Sequence, residues 1–307
     1  MNDEKYRILI DCDPGLGKKG ADVDDGLALF IILNNPERFQ VEGITTVFGN
    51  TRLTKGFRLL EEYLDMKGAM NIPHHKGAKS AADLGVSTEA SNFLVDMVKK
   101  NPGEIILISL GPLTNIATAL HTYPEFLNNV KEYVFMGGVI NPVDAFSKKF
   151  TFGDELFVKN EFNFNQDPQA TKTVIEAQSQ TPRVGFGLDI CCQAVFKKEH
   201  LDRIKNAKNP LTEYILEDLE YWLNLWEHNK SKGFFPFDTF VPLYLMNREL
   251  FSFNNYYLRV DTEQVPGMLI KTQKESGLYY PVNFCMGFST DSGPEIFMEK
   301  LLSNLLK

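Results

Sequence analysis

The chain has 307 residues, 43% of them hydrophobic, and a formal net charge of −8. That length and apolar content support a sizeable core, and basic residues gather only in short pairs (Lys18-Lys19, Lys99-Lys100, Lys148-Lys149), which argues against nucleic acid as a partner. No apolar run is long enough to span a bilayer and the start, Met1-Asn2-Asp3-Glu4-Lys5, lacks a secretory pattern, so a cytoplasmic protein with no membrane partner is expected.

The first predicted strand is Arg7-Ile8-Leu9-Ile10, followed by an apolar helix over Leu27–Leu33 that stops at Asn34-Asn35-Pro36. Val41–Phe48 reads as a strand and Leu53–Met66 as a helix, with Phe57, Leu60, Tyr63 and Leu64 at helical spacing. Ser87 can cap a helix running to Lys100, Ile105–Ile108 reads as a buried strand, Leu113–Leu120 as a helix, and Tyr133–Met136 as a strand ending at Gly137-Gly138. The stretch before Glu161 has the character of a lid or surface insertion. Helices are then expected over Ala170–Ala177, Leu201–Ala207, Leu211–Trp226 and Pro294–Leu306, and strands over Val184–Ile190, Tyr257–Val260, Met268–Lys271 and Tyr280–Phe284. This alternation predicts a single α/β domain over 1–307, with a largely parallel central sheet, helices on both faces, and the site at the carboxyl ends of the strands. Cys12, Cys191, Cys192 and Cys285 have neither CxxC spacing nor disulfide density, so reduced, buried thiols are expected.

Asp11, Asp13, Asp24 and Asp25 bracket the first strand-to-helix junction, with Asp22 beside them. Carboxylates crowded at one place repel unless a cation or proton intervenes, and oxygen donors without His or Cys favour Ca²⁺ or Mg²⁺ over zinc. The alternative is a solvated acidic turn with Asp24 as a helix N-cap. Gly15-Leu16-Gly17-Lys18-Lys19-Gly20 also matches the GxGxxG of dinucleotide sites, but the aspartates that follow would repel phosphate. Asp11-Cys12-Asp13 after an apolar strand is similar to the nucleophile motif of haloacid dehalogenase-type phosphatases, with Pro14-Gly15 where those proteins carry Thr or Val.

Asp11-Cys12-Asp13-Pro14-Gly15-Leu16 and Asp24-Asp25-Gly26-Leu27-Ala28-Leu29 together resemble the DxDPGxDDxxAL motif of the inosine-uridine-preferring nucleoside hydrolase family, interrupted here by Gly17–Val23. Ile44–Asn50, Gly111–Ala117, Met136-Gly137-Gly138, Glu161-Phe162-Asn163 with Asp167-Pro168, and Phe237-Asp238-Thr239 fit the family in order. The resemblance implies Ca²⁺ held by the carboxylates of Asp13, Asp25 and Asp238 and by the main-chain carbonyl of Leu110, with Asp11 behind them. It implies that Asp24, Asn50, Glu161, Asn163 and Asp154 hold the ribose hydroxyls, and that a calcium-bound water, with Asp13 as general base, cuts the N-glycosidic bond of a ribonucleoside. A homo-oligomer, dimer or tetramer, is implied as well.

Many family members have a histidine before the last calcium aspartate; this chain has Phe237, the pattern of purine-specific members that stack rings on the base. His75 is expected to be a solvated loop histidine. Trp222 and Trp226, four apart on one helix face, either wall the base or pack the core. Two rivals stand beside a purine-leaning hydrolase: a nucleoside- or ribose-binding protein that kept the calcium site without turnover, and a Mg²⁺-dependent aspartate-nucleophile phosphatase.

Overall fold

The computed structural model describes residues 5–141, 161–229, 231–274 and 280–307, so Asp154 and most of the stretch before Glu161 lie outside the described residues. Strand β1 (Tyr6–Cys12) pairs in parallel with β2 (Phe39–Thr46) on one side and β4 (Ile106–Ser109) on the other. β3 (His74–Lys76) extends the β2 side, while β5 (Glu132–Met136), β6 (Arg183–Phe186) and β9 (Val282–Phe288) extend the β4 side, all in parallel. β7 (Phe251–Val260) joins β9 antiparallel, and β8 (Leu269–Thr272) joins β7 in the same way. Among the described residues the order is β3-β2-β1-β4-β5-β6-β9-β7-β8. The sheet is thus largely parallel, as expected.

Both faces are covered because the inner strands are apolar on both. Along β1, Ile8, Ile10 and Cys12 enter one core and Leu9 the other. The first core is closed by the helices Asp24–Leu33, Leu53–Met66, Pro210–His228 and Gly293–Leu305, the second by Glu89–Lys100, Thr114–Thr122 and Pro168–Ile175. The four cysteines are buried and free. Among the described residues no helix is long and apolar enough to cross a membrane.

Three local expectations change. The helix expected from Ser87 begins at Glu89, because Thr88 is the residue whose hydroxyl accepts the Ser91 N–H, at 3.1 Å. The strand expected over Val184–Ile190 ends at Phe186 and gives way to a short helix, Leu188–Cys191; a short apolar run does not distinguish the two. His75 belongs to β3 rather than to a loop, half-buried with its ring centroid 4.4 Å from that of Phe93.

Connections leave β1 toward β2 and leave β4 toward β5, so the strand order diverges between β1 and β4, where open α/β sheets form a crevice at the carboxyl ends. Asp11 lies opposite Ser109 across that pair. The chain leaving β1 therefore carries Asp13 beside Gly111 as it leaves β4.

Candidate functional site

Asp13 is clamped by backbone. A Cβ on Gly111 would fall 2.5 Å from its Oδ1, and one on Gly49, which holds φ +155°, would overlap its Oδ2. Asp13 Oδ2 accepts the Asn50 N–H at 2.6 Å. Asp25 accepts twice, from the Asp13 N–H at 3.0 Å and from the Asn50 side-chain amide at 2.8 Å. Asp24 and Asp25 open the helix Asp24–Leu33, whose N-terminal dipole favours negative charge. Asp24 is not the N-cap: that position is Val23, and Asp24 Oδ1 instead accepts the N–H of Asp25 at 3.1 Å.

Asp238, in the 3₁₀ turn Phe237–Thr239, reaches this junction from far along the chain. One oxygen from each of Asp24, Asp25 and Asp238 lies within 4.8 Å of the other two. All three are buried, as is Asp13. Burial, with repulsion from neighbouring carboxylates, pushes Asp13 and Asp238 well above the usual carboxylate range and Asp25 up to about 8; burial takes Asp24 up to about 6. Asp13 Oδ1 and Asp238 Oδ1 are buried without a hydrogen-bond partner. Orphaned carboxylate oxygens beside a buried acidic trio, with oxygen donors throughout, fit a hard divalent cation. The solvated-turn reading does not fit, since these carboxylates are out of solvent.

The opposite wall comes from β4, β5 and the helix Phe162–Gln166. Glu161 caps that helix: Oε1 accepts from the Asn163 N–H at 2.7 Å, and Oε2 from the N–H groups of Phe164 and Gly138, each at 2.9 Å. The Asn163 side-chain amide donates to the Leu110 carbonyl at 2.7 Å. These groups converge on a cavity of about 360 Å³ lined by Asp24, Asn50, Leu110, Glu161, Asn163 and Asp238 together with Trp222, Trp226 and Phe237. Asp13 and Asp25 lie beneath that lining rather than in it. Among the described residues that line it there is no His, Lys or Arg. Trp226 is buried and Trp222 half-buried, their ring centroids 6.2 Å apart, and Phe237 stands 6.4 Å from Trp226. The tryptophans therefore do both things considered for them: they pack against the core and face the cavity.

Two motif readings lose their geometry. Asp11, the would-be phosphatase nucleophile, is fully buried and not part of the cavity lining; its Oδ1 is taken by the Thr45 hydroxyl at 2.5 Å and the Asn115 amide at 2.8 Å, and its Oδ2 has no partner. The glycines of GxGxxG serve a compact turn, in which Lys18 N–H bonds Gly15 O at 3.0 Å and Ala21 N–H bonds Lys18 O at 3.0 Å. The segment Gly17–Val23, which interrupts the aspartate motif, packs on the helix Pro210–His228, and Gly20, Ala21 and Asp22 reach the cavity wall. Sequence reasoning gave no role to Asn115 and overlooked Met136 and Leu188 as cavity residues. Met136 ends β5 and Leu188 follows β6, so the rule that ligands gather at strand carboxyl ends would have found both.

Fold and site together define an α/β enzyme-like architecture with a buried carboxylate cluster under a half-polar, half-aromatic cavity at the sheet's switch point. Residues 8–292 match the family model described as inosine-uridine preferring nucleoside hydrolase. A relative in Arabidopsis thaliana, named probable uridine nucleosidase 2, is 28% identical over 293 residues, covering 85% of this chain and 84% of its own. The inosine-uridine preferring nucleoside hydrolase of Crithidia fasciculata is 29% identical over 251 residues, with 73% of each chain covered. The solved purine-preferring ribonucleoside hydrolase of Gardnerella vaginalis superposes with a TM-score of 0.80 at 20% identity, covering 98% of this chain and 99% of that one. The chain belongs to the inosine-uridine preferring nucleoside hydrolase family and is a ribonucleoside N-ribohydrolase.

Proposed function

We propose that the chain, acting as a single domain within a homo-oligomer, hydrolyses purine-leaning ribonucleosides to free base and ribose. In this reading Ca²⁺ is held by Asp13, Asp25, Asp238 and the Leu110 carbonyl, and Asp13 is the general base. The observation that carries it is one cavity lined both by carboxylates and amides, suited to a ribose, and by clustered aromatic rings, suited to a flat base.

Bond cleavage forms a C–O bond from water to the anomeric carbon and breaks the C–N bond, whose electron pair leaves with the base. The sugar gains positive charge on the way, and the carboxylates of Asp24 and Glu161 in the lining stabilise it. Asn50 and Asn163 orient the ribose hydroxyls, while their hydrogen bonds to Asp25 and Leu110 keep them fixed. Asp13 Oδ1, which has no partner, is the acceptor for the water's proton. A calcium ion held by these residues would supply positive charge that makes a nearby water more acidic. With no cationic acid in the lining, purine departure is eased by the ring wall of Trp222, Trp226 and Phe237.

The test is free-base release from inosine, guanosine, adenosine, uridine and cytidine, with and without chelator. Faster release from the purine nucleosides, abolished by chelation and restored by Ca²⁺, is expected. Faster uridine or cytidine turnover would remove the purine preference, and chelator-resistant turnover would remove the metal. Light scattering checks the oligomer.

A further inference from the structure

The segment Gly17–Val23 interrupts the aspartate motif and has no part in the reaction as written. It is nevertheless tied to the helix that carries both tryptophans. The Gly17 N–H donates to Asp218 Oδ2 at 2.9 Å, and the Lys19 ammonium sits 4.8 Å from the centroid of the Tyr221 ring. At Gly17, with φ +92°, a Cβ would fall 2.8 Å from the Tyr214 hydroxyl, so the loop backbone lies flush on the helix and only glycine fits there. From this anchor the loop runs past Gly20, Ala21 and Asp22 in the cavity wall and ends at Asp24 on the ribose side.

Asp218, Trp222 and Trp226 follow one another at four-residue spacing in the helix Pro210–His228, so the anchor and both indoles share a face. Leu211, Ile215, Leu219 and Leu223 bury the helix in the core without help from Asp218. The Asp218 contact is therefore available for setting position rather than for holding the fold. A hydrogen bond to a carboxylate is stronger than a neutral one, and half-burial of Asp218 limits its screening.

We propose that Asp218 is a positioning residue for base recognition: by gripping the inserted loop it fixes the Trp222–Trp226 face at a set distance from Asp24, and so sets the width of the base half of the cavity. The proposal rests on reading the cavity as a nucleoside site. It makes Asp218 matter for the base and not for the ribose.

The chain has only two tryptophans, both on this wall, so intrinsic fluorescence reads the wall directly. The full chain and its Asp218→Ala and Asp218→Asn variants are titrated with hypoxanthine by fluorescence quenching, and with ribose as a competitive inhibitor of turnover. Asp218→Ala is expected to weaken hypoxanthine binding about tenfold or more, the lower end of what one charge-assisted hydrogen bond is worth, and to lower kcat on inosine because the displaced wall eases purine departure less, with the ribose inhibition constant within about threefold of the parent. Asp218→Asn keeps an acceptor oxygen and should recover most of the loss. Unchanged hypoxanthine binding in Asp218→Ala, or equal weakening of base and ribose, overturns the positioning role. Absence of quenching in the parent protein would instead overturn the reading of this wall as a base site, and the proposal with it.

Discussion

The side-chain amide of Asn163 donates to the main-chain carbonyl of Leu110 at 2.7 Å, joining the helix Phe162–Gln166 to the loop after β4. A carbonyl oxygen has two lone pairs, so this bond aims the group and leaves one pair for a cation. Partners that orient a metal ligand without touching the metal typically matter about 10–100-fold. Asn163→Ala should therefore weaken Ca²⁺ binding, measured by chelator competition, by about tenfold or more. Unchanged Ca²⁺ affinity with a raised KM would place Asn163 on the ribose alone.

Asp13 and Asp238 each carry an orphaned buried oxygen, and each is expected to lose something different. On the proposed mechanism Asp13→Ala removes both base and ligand, so kcat should fall by more than the roughly 10²- to 10⁴-fold of general-base loss alone. A kcat within tenfold of the parent would sink the assignment. Asp238→Asn preserves shape and removes charge from a hard-cation site, so Ca²⁺ affinity should drop in a calorimetric titration.

How much of this was readable without coordinates depends on whether the information was local. The helix Leu53–Met66 was fixed by the spacing of Leu60, Tyr63 and Leu64, and the parallel sheet by alternation of apolar strands and helices. Asp13, Asp24 and Asp25 stood out because they lie close together in sequence, on either side of one strand-to-helix junction. Asn115 did not, since its bond to Asp11 joins positions 104 residues apart in the chain and the residue by itself looks like any other in a helix. The docking of Gly17–Val23 was hidden for the same reason: Asp218 is surrounded in sequence by other helix-surface residues, and nothing local marks it as the partner of Gly17.

Without a cation, the buried carboxylates should make stability depend on pH in an unusual direction. Burial raises Asp24 to about 6 and Asp25 to about 8, so between the unfolded value near 4 and those values the native state holds more protons than the unfolded one. Stability is then fully present below about pH 4 and lost as pH rises to about 8. The chelated protein should lose about 2 °C of Tm per pH unit for each carboxylate while it stays protonated in the native state alone, Asp24 up to about pH 6 and Asp25 up to about pH 8, and Ca²⁺ should remove the loss by compensating the charge. A chelated Tm that rises or stays level from pH 5 to 8 would mean these groups carry no raised proton affinity.

Phe237 stands immediately before Asp238, half-buried, with its ring centroid 5.8 Å from Phe235 and 6.4 Å from Trp226, and it lines the cavity. A phenyl ring cannot donate a proton, so on the proposed reading it contributes through contact with the base. Such an aromatic contact is worth roughly 0.5–1.5 kcal/mol beyond buried area, or up to about tenfold in kcat/KM. Because a purine offers more stacking surface than a pyrimidine, Phe237→Ala should lower kcat/KM for inosine and guanosine by several-fold more than for uridine, on the order of that same tenfold. If stacking also makes the departing purine easier to protonate, part of the loss will appear in kcat and not only in KM. Phe237→His places a proton donor where the ring was and should narrow the gap between purine and pyrimidine substrates. Steady-state kinetics on inosine, guanosine and uridine decide the matter. Equal losses for all three in Phe237→Ala would show that the ring only supports the turn that presents Asp238, and would leave the purine preference without support.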